Sequence, residues 1–420
     1  MTPGKARIGF VSTRLKGTDG VSLEVRKWAE VLTGLQHECF FFAGESDWPA
    51  ERSVVVPEAH FNHPEVVKLS TDLFDDYVRT PETSQRIDTL KAYLKTELHK
   101  FIQQYAIQLL IVENAMAIPM HVPLGLALTE VIAETSIDTI AHHHDFAWER
   151  SRFSVSAAED YLHAAFPAAL KSIRHVVINS YAQSQLAYRT GLSATVVPNV
   201  MQYEKPPEPP DGYAGDLRTT LGLQPEEHFI LQPTRIVPRK RIERAIGLAV
   251  RLGLPYALVI SHEAGDEGAE YVEYLQEIID GFNARVVFGA AHFGEERSQT
   301  ADGRKIYSLA DAYEAADLVT YPSSVEGFGN AFLEAIYYRK PLVVSTYDIY
   351  RLDIKPRGFQ VVEFDEFVTK QAVQQARELL LNPDRAAAIV DHNYAVASKH
   401  FSYSNLEKLL VALISQARGD

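Results

Sequence analysis

The stretch Tyr321-Pro322-Ser323-Ser324-Val325-Glu326-Gly327-Phe328-Gly329-Asn330-Ala331-Phe332-Leu333-Glu334 decides how this chain is read. An apolar run, Leu318–Tyr321, stops at a proline, a loop with two glycines follows, and a helical pattern starts near Asn330. A strand, a glycine loop and a helix in that order aim backbone N–H groups and the positive helix end at one point. That point suits a phosphate or another anion. Glu326 lies in the loop and Glu334 about a turn or two into the helix, so both border it. Carboxylates repel a phosphate, but they accept hydrogen bonds from hydroxyls, and two of them fit a sugar and a ribose.

Outward from this stretch, apolar runs alternate with helical patterns, which predicts parallel sheets flanked by helices. Upstream in the same half are strands at Phe229–Thr234, Tyr256–Ser261 and Arg285–Phe288, with helices Ile242–Leu252 and Leu309–Ala316. Downstream is a strand at Pro341–Ser345. The N-terminal half repeats the pattern, with strands at Ala6–Val11, His37–Ala43, Gln108–Glu113, Asp138–His144, His175–Asn179 and Thr195–Val197. A helix with apolar residues at Val21, Val25, Trp28, Leu32 and Leu35 follows the first strand at a 3.6-residue period. Between the halves, Lys205-Pro206-Pro207-Glu208-Pro209-Pro210-Asp211-Gly212 cannot continue a helix or a central strand, because proline has no N–H to donate. The expectation is a domain at 1–200, a proline-rich linker at 201–215, a second domain at 216–400, and a last helix in 401–420 that returns to the first domain. Ser404-Asn405-Leu406-Glu407 is expected to cap that helix. Residues 45–100 read as a polar, mostly helical insertion shaping the acceptor side.

A chain of 420 residues exceeds one compact core and suits two domains. Its single cysteine, Cys39, sits in an apolar strand and leaves no internal disulfide, which fits a reducing, cytoplasmic setting. The N-terminus runs directly into a strand without an apolar leader. No apolar run reaches the roughly 18 residues of a membrane span. A formal net charge of -14 argues against nucleic acid or anionic lipid as the main partner, so a small or soluble acceptor is expected.

A second cluster, Pro233-Thr234-Arg235-Ile236-Val237-Pro238-Arg239-Lys240-Arg241, follows the first strand of the second half. Cations at the carboxyl end of a parallel strand can hold a diphosphate, since ligands bind there in such sheets. A third, Ile140-Ala141-His142-His143-His144-Asp145, ends a strand of the first half. Three histidines invite a metal, but alternate strand residues face opposite ways, so they cannot all converge, and no metal is expected. Arg150 and Arg152 could meet an acidic acceptor through bidentate pairing, or could pair with nearby acids.

Glu326 and Glu334, with Gly327-Phe328-Gly329 between them, resemble the E-x7-E signature of the retaining GT-B glycosyltransferases of family 4. The resemblance covers essentially the whole chain and implies two Rossmann-like domains facing across a cleft. It implies transfer of a hexose, glucose or mannose, from a nucleotide diphosphate sugar as co-substrate, with no cofactor, no divalent metal and retention at the anomeric carbon. Arg235 and Lys240 are similar to the family's Arg and Lys beside the diphosphate, with Thr234 where a glycine is usual, and Arg239 and Arg241 are taken as surface cations. Glu326 is implied at the donor sugar and Glu334 at the ribose, with backbone contacts from Gly327, Phe328, Gly329 and Asn330. His144-Asp145 is similar to the family's His-Asp step, which puts His144 at the reaction centre, with His142 as its neighbour and Asp145 toward the acceptor. Gly20-Val21 resembles the family's first glycine loop, with Asp19 in place of one glycine. Ser261-His262-Glu263-Ala264-Gly265 replaces a more glycine-rich turn near the base, so the nucleotide is left open, as is the acceptor: sugar phosphate, glycerate-type osmolyte, free sugar or polysaccharide.

Two other readings share the architecture, a nucleotide-sugar epimerase and a non-catalytic nucleotide-sugar-binding protein. Neither accounts for the retained Arg235, Lys240, Glu326 and Glu334. A dinucleotide-dependent oxidoreductase would need a G-x-G-x-x-G after a strand, and none is present.

Overall fold

Alternating apolar residues build the first sheet from β1 (Arg7–Val11), β2 (Glu38–Ala43), β3 (Ser53–Val55), β4 (Leu109–Glu113), β5 (Asp138–His143), β6 (Ile173–Val177) and β7 (Ala194–Val196). All pairs are parallel, in the order β3-β2-β1-β4-β5-β6-β7. The helices between them are α1 (Gly20–Gly34), α2 (Pro64–Phe74), α3 (Pro81–Tyr105), α4 (Val122–Thr135), α5 (Glu159–Ala165) and α6 (Ser180–Thr190). Successive strand residues enter opposite cores. Ile8, Phe10, Leu109 and Ile111 pack with Val25, Trp28 and Leu32 of α1. Val11, Phe42, Leu110 and Val112 pack with Ile87, Leu94, Leu98 and Phe101 of α3. The structure, a computed structural model, describes residues 4–17, 19–264 and 269–419; Thr18 of the first loop, Gly265 of the Ser261–Gly265 turn and Asp420 lie outside these.

The second sheet holds β8 (His228–Gln232), β9 (Tyr256–Ile260) and β10 (Val286–Phe288). After a small sheet of β11 (Phe293–Gly294), β12 (Ser298–Gln299) and β13 (Lys305–Ser308), it resumes with β14 (Leu318–Tyr321), β15 (Leu342–Ser345) and β16 (Val362–Phe364). Its order is β10-β9-β8-β14-β15-β16, again all parallel. Its helices are α7 (Leu217–Thr220), α8 (Ile242–Arg251), α9 (Ala269–Phe282), α10 (Leu309–Ala315), α11 (Asn330–Tyr337), α12 (Lys370–Leu381) and α13 (Pro383–His400), and α14 (Tyr403–Arg418) closes the chain. Residues 1–200 with 403–420 form one unit and 201–402 the other. Leu406, Leu410, Leu413 and Ile414 of α14 lie in the same core as α1.

Some local expectations fail. Residues 45–100 are not an insertion: α3 is the crossover from the sheet edge to β4, and Gly9 of β1 exists because a Cβ there would sit 2.8 Å from the Phe101 ring. β3 was missed because three residues carry too little periodicity to read. α14 starts at Tyr403, one residue before the cap expected at Ser404. No helix among the described residues is long and apolar enough to cross a membrane.

Candidate active site

In each sheet the strand order reverses beside the first strand, between β1 and β4 and between β8 and β14. Ligands of open parallel sheets bind outside the strand carboxyl ends at such points, and the residues singled out from sequence cluster at these two places.

In the second unit, the loop after β8 meets the loop after β14. Lys240, buried under the Tyr321 ring at 5.5 Å, forms an ion pair with Glu326. Burial pushes the Glu326 carboxyl up, but Lys240 and Arg239 outweigh it and hold the group below its ordinary value, so it is ionised at neutral pH. Arg239 is more than the surface cation expected from sequence. Its guanidinium reaches Glu326 Oε2 at 3.2 Å and the Val325 carbonyl at 3.3 Å, while its own carbonyl accepts from the Ser324 N–H at 2.9 Å. Arg241 keeps to the surface and lies 3.8 Å from Glu243. Arg235 is exposed and has no hydrogen bond or ion pair among the described residues. It acts electrostatically on half-buried His262, whose pKa is lowered by burial and then by Arg235 and Lys240. The departure at Thr234 has a structural reason: its hydroxyl accepts from Gln232 Nε2 at 2.8 Å, and Gln232 Oε1 accepts from Thr320 at 2.8 Å, so a buried amide is satisfied below the loop.

Glu326 and Glu334 stand on either side of the second glycine, in the loop and in the helix that follows it. Glu334, in α11, accepts from the Tyr313 hydroxyl at 3.0 Å. Between them Gly329 adopts φ +126, and a Cβ there would lie 2.4 Å from the Tyr347 hydroxyl, so only glycine fits. That hydroxyl donates to the Phe328 carbonyl at 2.8 Å. The Phe328 side chain packs on Phe401 with centroids 5.4 Å apart, which leaves only its backbone for a ligand. Gly327 is exposed, and α11 opens at Asn330 with no side-chain cap.

In the first unit, the register places Glu113 of β4 beside His142 of β5. Glu113 Oε2 lies 2.9 Å from His142 Nδ1 and 3.2 Å from His144 Nε2. One ligating atom from each of the three falls within 4.8 Å of the others, a spacing open to a metal ion; the two contacts are also ordinary N–H···O lengths. Burial alone would raise Glu113, but His142 and His144 overcome it and hold the carboxyl at about 2. Burial lowers His144, yet Glu113 more than offsets it, and its pKa ends above the usual value. His143 faces the other side of the sheet, 2.9 Å from His175.

The remaining expectations fare unevenly. Arg150 pairs with Asp145, and Asp145 accepts from Asn114 Nδ2 at 2.9 Å, so both supposed acceptor contacts have internal partners. Arg152 is exposed and lies over the Phe153 ring. Gly20 opens α1, but Asp19 Oδ1 takes the Val21 and Ser22 N–H groups at 3.1 and 3.2 Å, so this helix end is already capped by an anion. Sequence reasoning missed Glu113, Asn114, Arg239 and Tyr313. Arg239 carried a signal as one cation of the basic cluster but was read as a surface residue, whereas Glu113 closes the apolar run Leu109-Leu110-Ile111-Val112 and reads as core.

Two parallel-sheet Rossmann-like units of this kind define the GT-B fold of glycosyltransferases. Residues 216–395 match the family described as Glycosyl transferases group 1, and the chain belongs to it: this protein is a glycosyltransferase. Among curated relatives, the mannosylglucosylglycerate synthase of Thermotoga maritima is 31% identical over 440 residues, spanning 96% of this chain and 98% of its own. That of Petrotoga mobilis is 31% identical over 385 residues, spanning 84% of this chain and 86% of its own. Among solved structures, a glycosyltransferase from Rickettsia africae ESF-5 has a TM-score of 0.70 at 12% identity, covering 99% of both chains. Anabaena Alr3699/HepE in complex with UDP and glucose has a TM-score of 0.67 at 15% identity, covering 98% of this chain and 100% of the other.

Proposed function

We propose that the enzyme transfers a hexose, namely mannose, from a nucleotide diphosphate sugar to a small glycerate-bearing acceptor such as glucosylglycerate. The transfer retains the anomeric configuration and needs no divalent metal. The observation that carries this reading is the identity to mannosylglucosylglycerate synthases across nearly the full length of both chains. A compound of that name joins mannose to a glucosylglycerate.

The side chains support a role for each half. Arg235, exposed and without an ionic partner among the described residues, stands beside Lys240 on the loop after β8. Together they neutralise the diphosphate and the charge that develops on it as the sugar departs. As the phosphates draw Lys240 and Arg239, Glu326 is released to accept hydrogen bonds from sugar hydroxyls. Glu334, oriented by Tyr313, accepts from the ribose. The acceptor hydroxyl attacks the anomeric carbon on the face the diphosphate leaves, through an oxocarbenium-like species. Its proton passes to the departing phosphate oxygen, so no covalent nucleophile is required. His144 is the imidazole bordering the reacting sugar.

The test is to incubate the enzyme with GDP-mannose, UDP-glucose or ADP-glucose, each with glucosylglycerate or glycerate, and follow products by mass spectrometry and proton NMR. The expected result is one added hexose on glucosylglycerate from the mannosyl donor, α-configured as in the donor and undiminished by EDTA. No product from any pair would sink the proposal; an inverted anomer would remove its stereochemical part.

A further inference from the structure

In the first unit a fully buried carboxylate holds two imidazoles on a single oxygen. Burying a charge is costly unless it is paired, so Glu113 is present for what it binds. Its Oε1 and His142 Nε2 are buried with no hydrogen-bond partner among the described residues. Each such atom in a buried site calls for an explanation, and a polar ligand supplies one.

We propose that Glu113 is a positioning residue for sugar transfer: one of its oxygens takes N–H bonds from both His142 and His144, which locks the His144 ring and leaves Nδ1 as the nitrogen facing substrate. The proposal rests on the reading of His144 as the imidazole at the reacting sugar. Its geometry comes from the frame around it. His142 is fixed from behind by stacking on Trp28, with centroids 4.3 Å apart, so the shared oxygen is held from one side before His144 meets it. After Glu113 the chain turns through Asn114 at φ +59. The Asn114 side chain accepts the His144 N–H at 3.1 Å and donates to Asp145 at 2.9 Å, so the backbone carrying His144 is clamped as well. A carboxylate only accepts, so the ring nitrogen it meets carries the proton and the other nitrogen is the one left free. The other charged groups acting on His144 are compensated: Glu24 of α1 pairs with Lys27 at 2.6 Å, and Asp145 pairs with Arg150.

The experiment compares Glu113→Gln, His144→Ala and the double variant for kcat and donor KM, with nitrogen-15 NMR of the imidazoles in the unsubstituted enzyme. The expected result for Glu113→Gln is a fall in kcat of at least about tenfold with donor KM little changed. The double variant should be no slower than His144→Ala, because both changes remove one arrangement. Recorded at a pH above the raised His144 value, where the ring is neutral, the NMR should find His144 protonated on Nε2 with Nδ1 bare. An impaired His144→Ala beside an unimpaired Glu113→Gln would overturn this proposal alone, as would the opposite tautomer or one tightly retained metal ion per chain. An unimpaired His144→Ala would remove the reading of His144 beneath it. The NMR arm needs no variant and decides the matter even if Glu113→Gln fails to fold.

Discussion

Gly329 and Arg239 act on the Glu326 loop from its two ends. Gly329 is at φ +126 with the Tyr347 hydroxyl where a Cβ would stand, so Gly329→Ala combines backbone strain with a clash. It should cost about 1–3 kcal/mol in urea unfolding and abolish the thermal shift given by nucleotide. Arg239→Ala removes bonds to Val325 and Glu326 without touching the fold's core. It should leave the melting temperature within a few degrees and raise donor KM severalfold; equal melting loss and unchanged KM would return Arg239 to the surface role read from sequence. Glu326 and Glu334 were legible in advance because their spacing along one loop and helix is itself the signal, and Lys240 because it resembles the family's Lys beside the diphosphate. Arg239 was not, because its partners lie more than eighty positions away in sequence. Glu113 was hidden because the last residue of an apolar strand reads as core.

Among the elements, β5 and β6 carry a device that ties stability to pH. Their register brings His143 and His175 to 2.9 Å in a buried site. Burial pushes His175 down to about 4, and His143 is also lowered, by burial and then by its neighbouring imidazoles. Folded imidazoles that resist protonation bind fewer protons than unfolded ones. Their contribution is therefore complete above the unfolded value of roughly 6.5 and is lost as pH falls from there toward 4. For His175 the loss is on the order of 3 kcal/mol. Urea midpoints should drop steadily between pH 6.5 and 4 and drop less in His175→Gln. Most strands of the two main sheets were plain in the sequence as apolar or alternating runs. β3, β16 and the short β11–β13 sheet were not, because two to four residues cannot establish a period and their pairing is decided by tertiary contacts.

For the whole molecule, α14 completes a unit that begins more than four hundred residues earlier. Leu406, Leu410, Leu413 and Ile414 are all at most 2% exposed, buried with Ile8, Phe10 and Trp28. Ending the chain at Ser402 would uncover that apolar surface, and four such side chains represent roughly 6–12 kcal/mol of burial. The truncated protein should aggregate or bind a hydrophobic dye, with near-ultraviolet dichroism lost first from the tryptophans, all three of which (Trp28, Trp48, Trp148) lie in residues 1–200. At this scale the sequence was most readable, because the repeated change from strand to helix period repeats through most of the chain and errors in single elements do not alter it.

The return of α14 also has a meaning in time. On the ribosome the first unit emerges early, yet its covering helix is translated only after the whole second unit has been made. Throughout that interval the nascent chain displays an oily groove beside α1 that nothing of its own can fill. Synthesis therefore favours slow commitment in the first unit and early commitment in the second, the reverse of simple vectorial folding.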